Sequence, residues 1–257
     1  MLQTLIILLN LIKVDFEQLA KIGFQKFKIK SSKRNSLISF KKDVENISKK
    51  ILRKKNIILD EIHNKNFENS SFNEFRLKVF SEVNKINKIH YKIFDIYSDI
   101  ITNLIGPDIS VQKNINFSIQ RPFDEERAPF HRDSPPNSPF EIVVWLPLVD
   151  CQKDMSMYLF NINDKQNINN YLKNDKNQNH DQFAKKKGKC CECKFGEFII
   201  FIAGAYHYIP INTQKRSRWS INVRYKNTFS PYGLKGYLDF FEPLKYSHIS
   251  NLAINHE

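Results

Sequence analysis

The stretch FHRDSPP, residues 130–136, ends in a Ser-Pro-Pro run that continues neither a helix nor a central strand. It separates the strand-like NINFSIQ, residues 114–120, from the apolar run FEIVVWLPLV at 140–149. If the chain is extended here, the side-chain period of two turns His131 and Asp133 to the same face, making a two-toothed clamp for a metal. A third ligand is on offer in GEFIIFIAGAYHYIPIN, where His207 follows a buried strand and a Gly-Ala turn.

Outward from that stretch, the texture beyond about Ser110 is one of short β-rich runs separated by Pro, Asn and Gly. NINFSIQ, FEIVVWLPLV, SMYLF, GEFIIFIAG and RWSINVRY are the clearest strands, and their spacing predicts a mostly antiparallel sandwich or barrel. Two imidazoles and one carboxylate on one face of an iron leave its other positions open, the facial arrangement of non-haem Fe(II) oxygenases. Eleven residues after His207, Arg218 alternates with Ser220 on one face of RWSINVRY. A guanidinium inside a barrel needs a buried anion. A dicarboxylate such as 2-oxoglutarate supplies one: Arg218 pairs with its distal carboxylate in bidentate fashion, the Ser220 hydroxyl assists, and the keto acid end is left to chelate the iron. Arg216 and Arg224 offer the same chemistry and stand as alternative anchors.

These residues resemble the Fe(II)/2-oxoglutarate dioxygenases, in particular the branch related to phytanoyl-CoA dioxygenase. The likeness runs from HRD (131–133) through GEFIIF to HYIPIN and RWS, with Asn212 five residues after His207, and spans roughly Asn114 to Tyr225. FDEERAPFHRDSPPNSPFEIVVWLPLVD together with RWSINVRY is also similar to an oxygenase family found sporadically in carbohydrate-biosynthesis gene clusters. The resemblance implies a mostly β fold with a helical flank: a double-stranded β-helix core, jelly-roll or cupin-like, preceded by N-terminal helices. It implies Fe(II) held by His131, Asp133 and His207, and 2-oxoglutarate held near Arg218, Ser220 and Asn212. With O2 as co-reactant, decarboxylation to succinate is coupled to oxidation of a small metabolite, in the finer likeness a sugar or sugar-derived intermediate. Related halogenases lack the carboxylate ligand to make room for chloride, so Asp133 favours hydroxylation, with desaturation and ring chemistry open. Gln120, Arg121, Trp145 and Tyr158 are the candidate substrate-facing residues. The competing readings are a cupin-like module that binds a metal or sugar without oxidative turnover, and a basic scaffold for nucleic acid or anionic polymer.

Bulk properties fit one catalytic unit of 257 residues, large enough for a substantial core. The net charge of +13 comes from scattered Lys accompanied by abundant Ile and Asn, without a groove-reading motif, so no nucleic-acid partner is expected. Cys151, Cys190, Cys191 and Cys193 are too crowded for a disulfide framework and read as free thiols. MLQTLIILLNLIKV at the N-terminus lacks a basic n-region and the length of a span, which predicts a cytoplasmic protein without a membrane span. Residues 1–109 read as a helical part packed on the core. One helix carries Leu37, Phe40, Val44, Ile47 and Ile51; another opens at a Ser71/Glu74 capping box and runs on through Phe72, Val83 and His90. His63 and His90 read as surface or packing histidines. Residues 110–257 read as the catalytic core, with a polar insertion at 161–189 and an aromatic C-terminal segment, TFSPYGLKGYLDFFEPLKY, that covers the barrel or an oligomer contact. The insertion reads as too poor in apolar residues to pack, hence a mobile surface loop or a lid, with His180 solvated. Oligomeric state is unspecified.

Overall fold

The computed structural model describes residues 15–65, 67–126, 128–134, 137–174 and 179–256. The apolar segment 1–14 lies outside the described residues. Helix α1 (Phe16–Ile22) is capped by Asp15, whose carboxylate accepts from the Gln18 N–H at 2.9 Å. It ends at Gly23 with φ 88°, where a Cβ would lie 2.4 Å from the Ile162 side chain, so glycine is required twice over.

Helix α2 (Arg34–Leu52) buries Leu37, Phe40 and Val44, as the three-and-four spacing predicts. Helix α3 (Asn69–Asn84) buries Phe72, Phe75, Val79 and Val83. The expected capping box is not formed. The helix starts two residues before Ser71, whose hydroxyl donates back to the Glu68 carbonyl at 2.9 Å, and Glu74 pairs with Lys78 instead. Nor does this helix run on to His90, which lies in a separate helix, α4 (Ile89–Ile105).

Among the described residues, ten strands form two antiparallel sheets. They are β1 (Phe24–Lys28), β2 (Ile109–Gln112), β3 (Asn116–Gln120), β4 (Glu141–Pro147), β5 (Tyr158–Leu159), β6 (Lys189–Cys190), β7 (Glu197–Ile202), β8 (His207–Tyr208), β9 (Arg218–Asn227) and β10 (Phe241–Lys245). The larger sheet runs β1-β7-β4-β9-β2-β10 without closing on itself, and β3 pairs with the first half of β9. The smaller sheet is β6-β5-β8. All five strands expected from the sequence are present. The N-terminal part is not all helical, however: β1 forms an edge of the larger sheet against β7. Its sequence FQKFK buries Phe24 and Phe27, three apart, so it lacks the period-two signal of a strand.

Strand β9 separates the two sides of this sheet. Trp219 and Tyr225 face the helices, their rings 6.1 Å from Phe75 and 5.9 Å from Phe94. Arg218, Ser220, Asn222, Arg224 and Lys226 alternate onto the other face.

The described residues of the insertion carry helices and pack against the rest of the chain. It forms α5 (Lys165–Asn174) and α6 (His180–Lys187), and buries Ile168 and Ala184 against Phe130, Phe160, Tyr206 and Tyr208. Tyr171 and Phe183 stack at 3.7 Å between ring centroids. Most of the apolar partners come from outside the insertion, which is why its own composition looked unable to pack. His180 sits among them, 5.9 Å from Phe130 and 6.0 Å from Tyr208. A last helix, α7 (His248–Asn255), closes the described chain, and no described helix is long and apolar enough to cross a membrane. The four cysteines are free thiols, and burial pushes Cys151 and Cys191 up to about 12, which leaves them protonated.

Candidate metal centre

His131 and His207 face each other across an antiparallel backbone bridge. The His131 N–H donates to the His207 carbonyl at 3.2 Å, and the reverse bond measures 2.8 Å. The bridge sets the two imidazoles side by side, with ring centroids 4.2 Å apart. Asp133, two residues on, brings Oδ1 to 3.8 Å from His131 Nε2. Among the described residues, these three are the one group of His, Cys, Asp or Glu that gathers one ligand atom each within 4.8 Å.

The imidazoles are held for ligation. His131 Nδ1 lies 2.6 Å from the Pro129 carbonyl, and His207 Nδ1 lies 3.2 Å from the Ala205 carbonyl. A carbonyl only accepts, so each Nδ1 carries a hydrogen, which leaves Nε2 as the ligand atom each ring can offer. Burial, and then the neighbouring His131, lower His207 to about 4, so it is neutral at pH 7. Burial alone would raise Asp133. The positive charge of Arg224, the nearby histidines and the Arg224 hydrogen bond outweigh it, and the carboxyl lies below its usual range. Asp133 Oδ2 is buried and without a hydrogen-bond partner among the described residues, an arrangement a bound cation would relieve. The donor set and its protonation states fit a divalent iron.

The three arginines weighed as anchors now separate. Arg216 is half-exposed and pairs with Asp60 at the surface. Arg224 donates to Asp133 Oδ1 at 2.8 Å. Arg218 is buried, 1% exposed, and donates from Nη2 to the Ser118 hydroxyl at 2.8 Å. Among the described residues its Nε and Nη1 have no partner, and neither does the buried Ser220 hydroxyl two residues on. Burial lowers the guanidinium to about 10, which leaves it charged at pH 7. Arg218 lines a cavity of about 570 Å³ together with Ser118, Gln120, Asn222 and Ile209, the last only two residues beyond His207.

No family model matches the sequence, and no curated protein matches it. Solved structures do match. The chain is similar to the non-haem α-ketoglutarate-dependent carbocyclase SnoK from nogalamycin biosynthesis, at 13% identity and a TM-score of 0.54, over 88% of this chain and 87% of that one. It is similar to HygX from Streptomyces hygroscopicus, a structure with nickel and 2-oxoglutarate bound, at 10% identity and a TM-score of 0.53, over 88% and 92%. It is similar to the non-haem monooxygenase ThoJ in its apo form, at 14% identity and a TM-score of 0.51, over 90% and 83%. The likeness lies in the fold.

The other sequence-predicted residues divide. Gln120 lines the cavity, donating to the Pro210 carbonyl at 3.0 Å and leaving its own oxygen without a partner. Trp145 is fully buried opposite Asn222, on the site-facing side of β4, with its indole N–H without a partner. Asn212 does not face the cavity's open donors. Its amide donates to the Arg216 carbonyl at 2.7 Å and accepts from the Gln214 N–H at 3.0 Å, closing the turn into β9. Arg121 points away as well, donating to the Phe67 carbonyl and Asn69 and lying over the Phe72 ring. Tyr158 packs in the aromatic cluster with Phe130 and Phe160 rather than at the metal ligands. Of the histidines outside the triad, His63 bonds to the Ser217 hydroxyl and His90 to the Lys113 carbonyl. The sequence marks Arg224 only as a rival anchor, through its alternation with Arg218 on β9, and gives no sign of its partner Gln112, which lies on β2.

Proposed function

We propose that this chain is an Fe(II)- and 2-oxoglutarate-dependent oxygenase acting with O2 on a small metabolite. The observation that carries the reading is the convergence of His131, Asp133 and His207, with both Nε2 atoms free and one carboxylate oxygen unpaired. The similar folds of α-ketoglutarate-dependent enzymes support it. We read β3-β9-β4-β7 as one sheet of a double-stranded β-helix and β6-β5-β8, with the His131 bridge, as the other. Residues 1–109 pack on that core as part of one catalytic unit.

When bound, Fe(II) with 2-oxoglutarate supplies the O2 chemistry; the protein supplies position, charge and exclusion of water. His131 and His207 offer one imidazole nitrogen each, and Asp133 offers one negative charge. Arg218 offers an anion the charge-assisted donors Nε and Nη1, which have no partner among the described residues, and the Ser220 hydroxyl lies on the same strand face. Asp133 occupies the position a halide would need, so the reading is hydroxylation rather than halogenation. The phytanoyl-CoA dioxygenase branch is the finer placement, and a sugar-derived intermediate of carbohydrate or natural-product assembly is the substrate class we favour.

The test is an anaerobic absorption titration with Fe(II) and then 2-oxoglutarate. A metal-to-ligand charge-transfer band in the wild type, lost in Asp133→Ala and weakened in Arg218→Ala, is the expected result. Folded, iron-loaded protein without the band would replace this reading by a metal-binding module.

A further inference from the structure

We propose that Arg224 is a positioning residue for the metal site: it fixes the Asp133 carboxylate so that the ligand is presented rather than searched for. The inference rests on the metal reading above and goes beyond it, because Arg224 is not one of the three ligands.

Asp133 lies in the irregular stretch that follows the His131 bridge, with no strand of its own to hold it. Its backbone is tethered on either side of the peptide that follows it: its carbonyl accepts from the Asn137 N–H at 3.1 Å, and the next N–H reaches the Ala203 carbonyl, just past β7, at 2.8 Å, but neither bond fixes the side chain. A short carboxylate on such a stretch turns about its side-chain bonds unless something holds the head group. Arg224 holds it from the middle of the larger sheet. Its Cα is in register with Val143 of β4 on one side, and β2 pairs along the other. Its guanidinium donates to Asp133 Oδ1 at 2.8 Å.

The arginine is itself fixed. Gln112 of β2 is 1% exposed, and its Oε1 accepts from both the Arg224 backbone N–H, at 2.9 Å, and Nη1, at 3.3 Å. The Gln112 amide in turn donates to the Asn114 carbonyl. The chain of contacts therefore runs from strand backbone through Gln112 and Arg224 to one oxygen of the carboxylate, while Oδ2 is left without a partner. Outer contacts of this kind orient ligands and typically change metal affinity by about 10- to 100-fold when removed.

A guanidinium beside a divalent cation also repels it, and the two effects have opposite signs in a binding measurement. If repulsion dominated, removing the charge would tighten the metal. Positioning predicts the reverse.

The experiment titrates the apo-protein with Co(II), reading the dissociation constant and the visible d–d spectrum, with the melting temperature of each apo form recorded alongside. Arg224→Met is expected to weaken Co(II) by about 10- to 100-fold and to alter the spectrum. Arg224→Lys, which keeps a charge and a donor but not the fork, is expected to recover part of the loss. Gln112→Leu leaves the ion pair in place but removes its tether, and an intermediate weakening is expected. Arg224→Met binding Co(II) as tightly as the wild type, or more tightly, with an unchanged spectrum overturns the inference. If that variant does not fold, wild-type affinity in both Arg224→Lys and Gln112→Leu overturns it equally. Failure of the wild type to bind Co(II) is a distinct outcome, which removes the metal reading and this inference with it.

Discussion

Replacing Arg218 by Met is expected to make the ligand-free protein more stable while destroying its response to 2-oxoglutarate. The guanidinium is buried, holds one hydrogen bond to Ser118 at 2.8 Å, and leaves Nε and Nη1 unsatisfied. Burial takes it to about 10 from its ordinary value, roughly 12.5. At 1.36 kcal/mol per factor of ten, holding the charge there costs about 3 kcal/mol. The sign follows: a base lowered on folding is penalised in full at every pH below its folded value, so the whole cost is present at pH 7. Methionine fills similar space without charge. The variant forgoes the Ser118 bond, worth about 1 kcal/mol, for a net gain of about 2 kcal/mol. In a chain of this size that is a rise in melting temperature of about 4–8 °C. With metal present and 2-oxoglutarate at a thousand times its dissociation constant, the wild type gains about 4 kcal/mol and the variant nothing, so the order reverses. Scanning fluorimetry of both proteins, with and without the keto acid, measures this. A variant several degrees less stable without ligand would make Arg218 a structural strut, and a variant still stabilised by 2-oxoglutarate would move the anchor elsewhere.

Asp133→Ala is expected to lose metal binding and, by leaving Arg224 buried without its counter-charge, to cost about 3–5 kcal/mol in denaturant unfolding; an unchanged midpoint would show that Arg224 finds another partner. Ile168→Ala, at a site 1% exposed, is expected to cost about 2–5 kcal/mol and to open the insertion to proteases. A change below about 0.5 kcal/mol would return residues 161–189 to the status of a tethered surface loop. Burial and His131 lower His207 to about 4, so between the unfolded value, roughly 6.5, and 4 the unfolded chain binds the extra proton. Metal-free protein therefore loses about 3 kcal/mol of stability as pH falls across that window, and none from this group above it. Unfolding curves of the wild type and His207→Gln across pH 4 to 7.5 check this, since the variant is expected to lose the corresponding part of the slope.

The triad was legible because its elements are local: a His-x-Asp pair before a Pro-Pro stop, a histidine past a buried strand, and an arginine at the head of an alternating one. What was not legible depended on distant partners. Residues 161–189 contain few apolar side chains, and only the fold brings Phe130, Tyr206 and Tyr208 to cover Ile168 and Ala184. Strand β1 carries its two phenylalanines three apart and is a strand because β7 pairs with it. Asn212 sits at a spacing that suggested a ligand contact, yet its amide closes the Arg216 turn. Spacing along a chain predicts which face a residue shares; it does not predict which polar groups the neighbouring backbone has already satisfied.

That distinction decides how the polar face of β9 is read. It buries three cations, and an incompletely paired buried charge costs stability. The three are satisfied to different degrees. Lys226 donates to the Ser230 and Pro231 carbonyls at 2.9 and 2.8 Å and lies 3.2 Å from the centre of the Tyr232 ring, so the fold gives it partners, although burial still lowers it to about 8. Arg224 is answered by Asp133 and Gln112, with only Nε left over. Arg218 is answered by one serine hydroxyl, and two of its nitrogens are not answered at all. Three cations on one strand face thus differ in what the described residues offer them: Lys226 is held by the Ser230 and Pro231 carbonyls, Arg224 by Asp133 and Gln112, and Arg218 keeps two buried donors without a partner, the opening that the proposed 2-oxoglutarate carboxylate would fill.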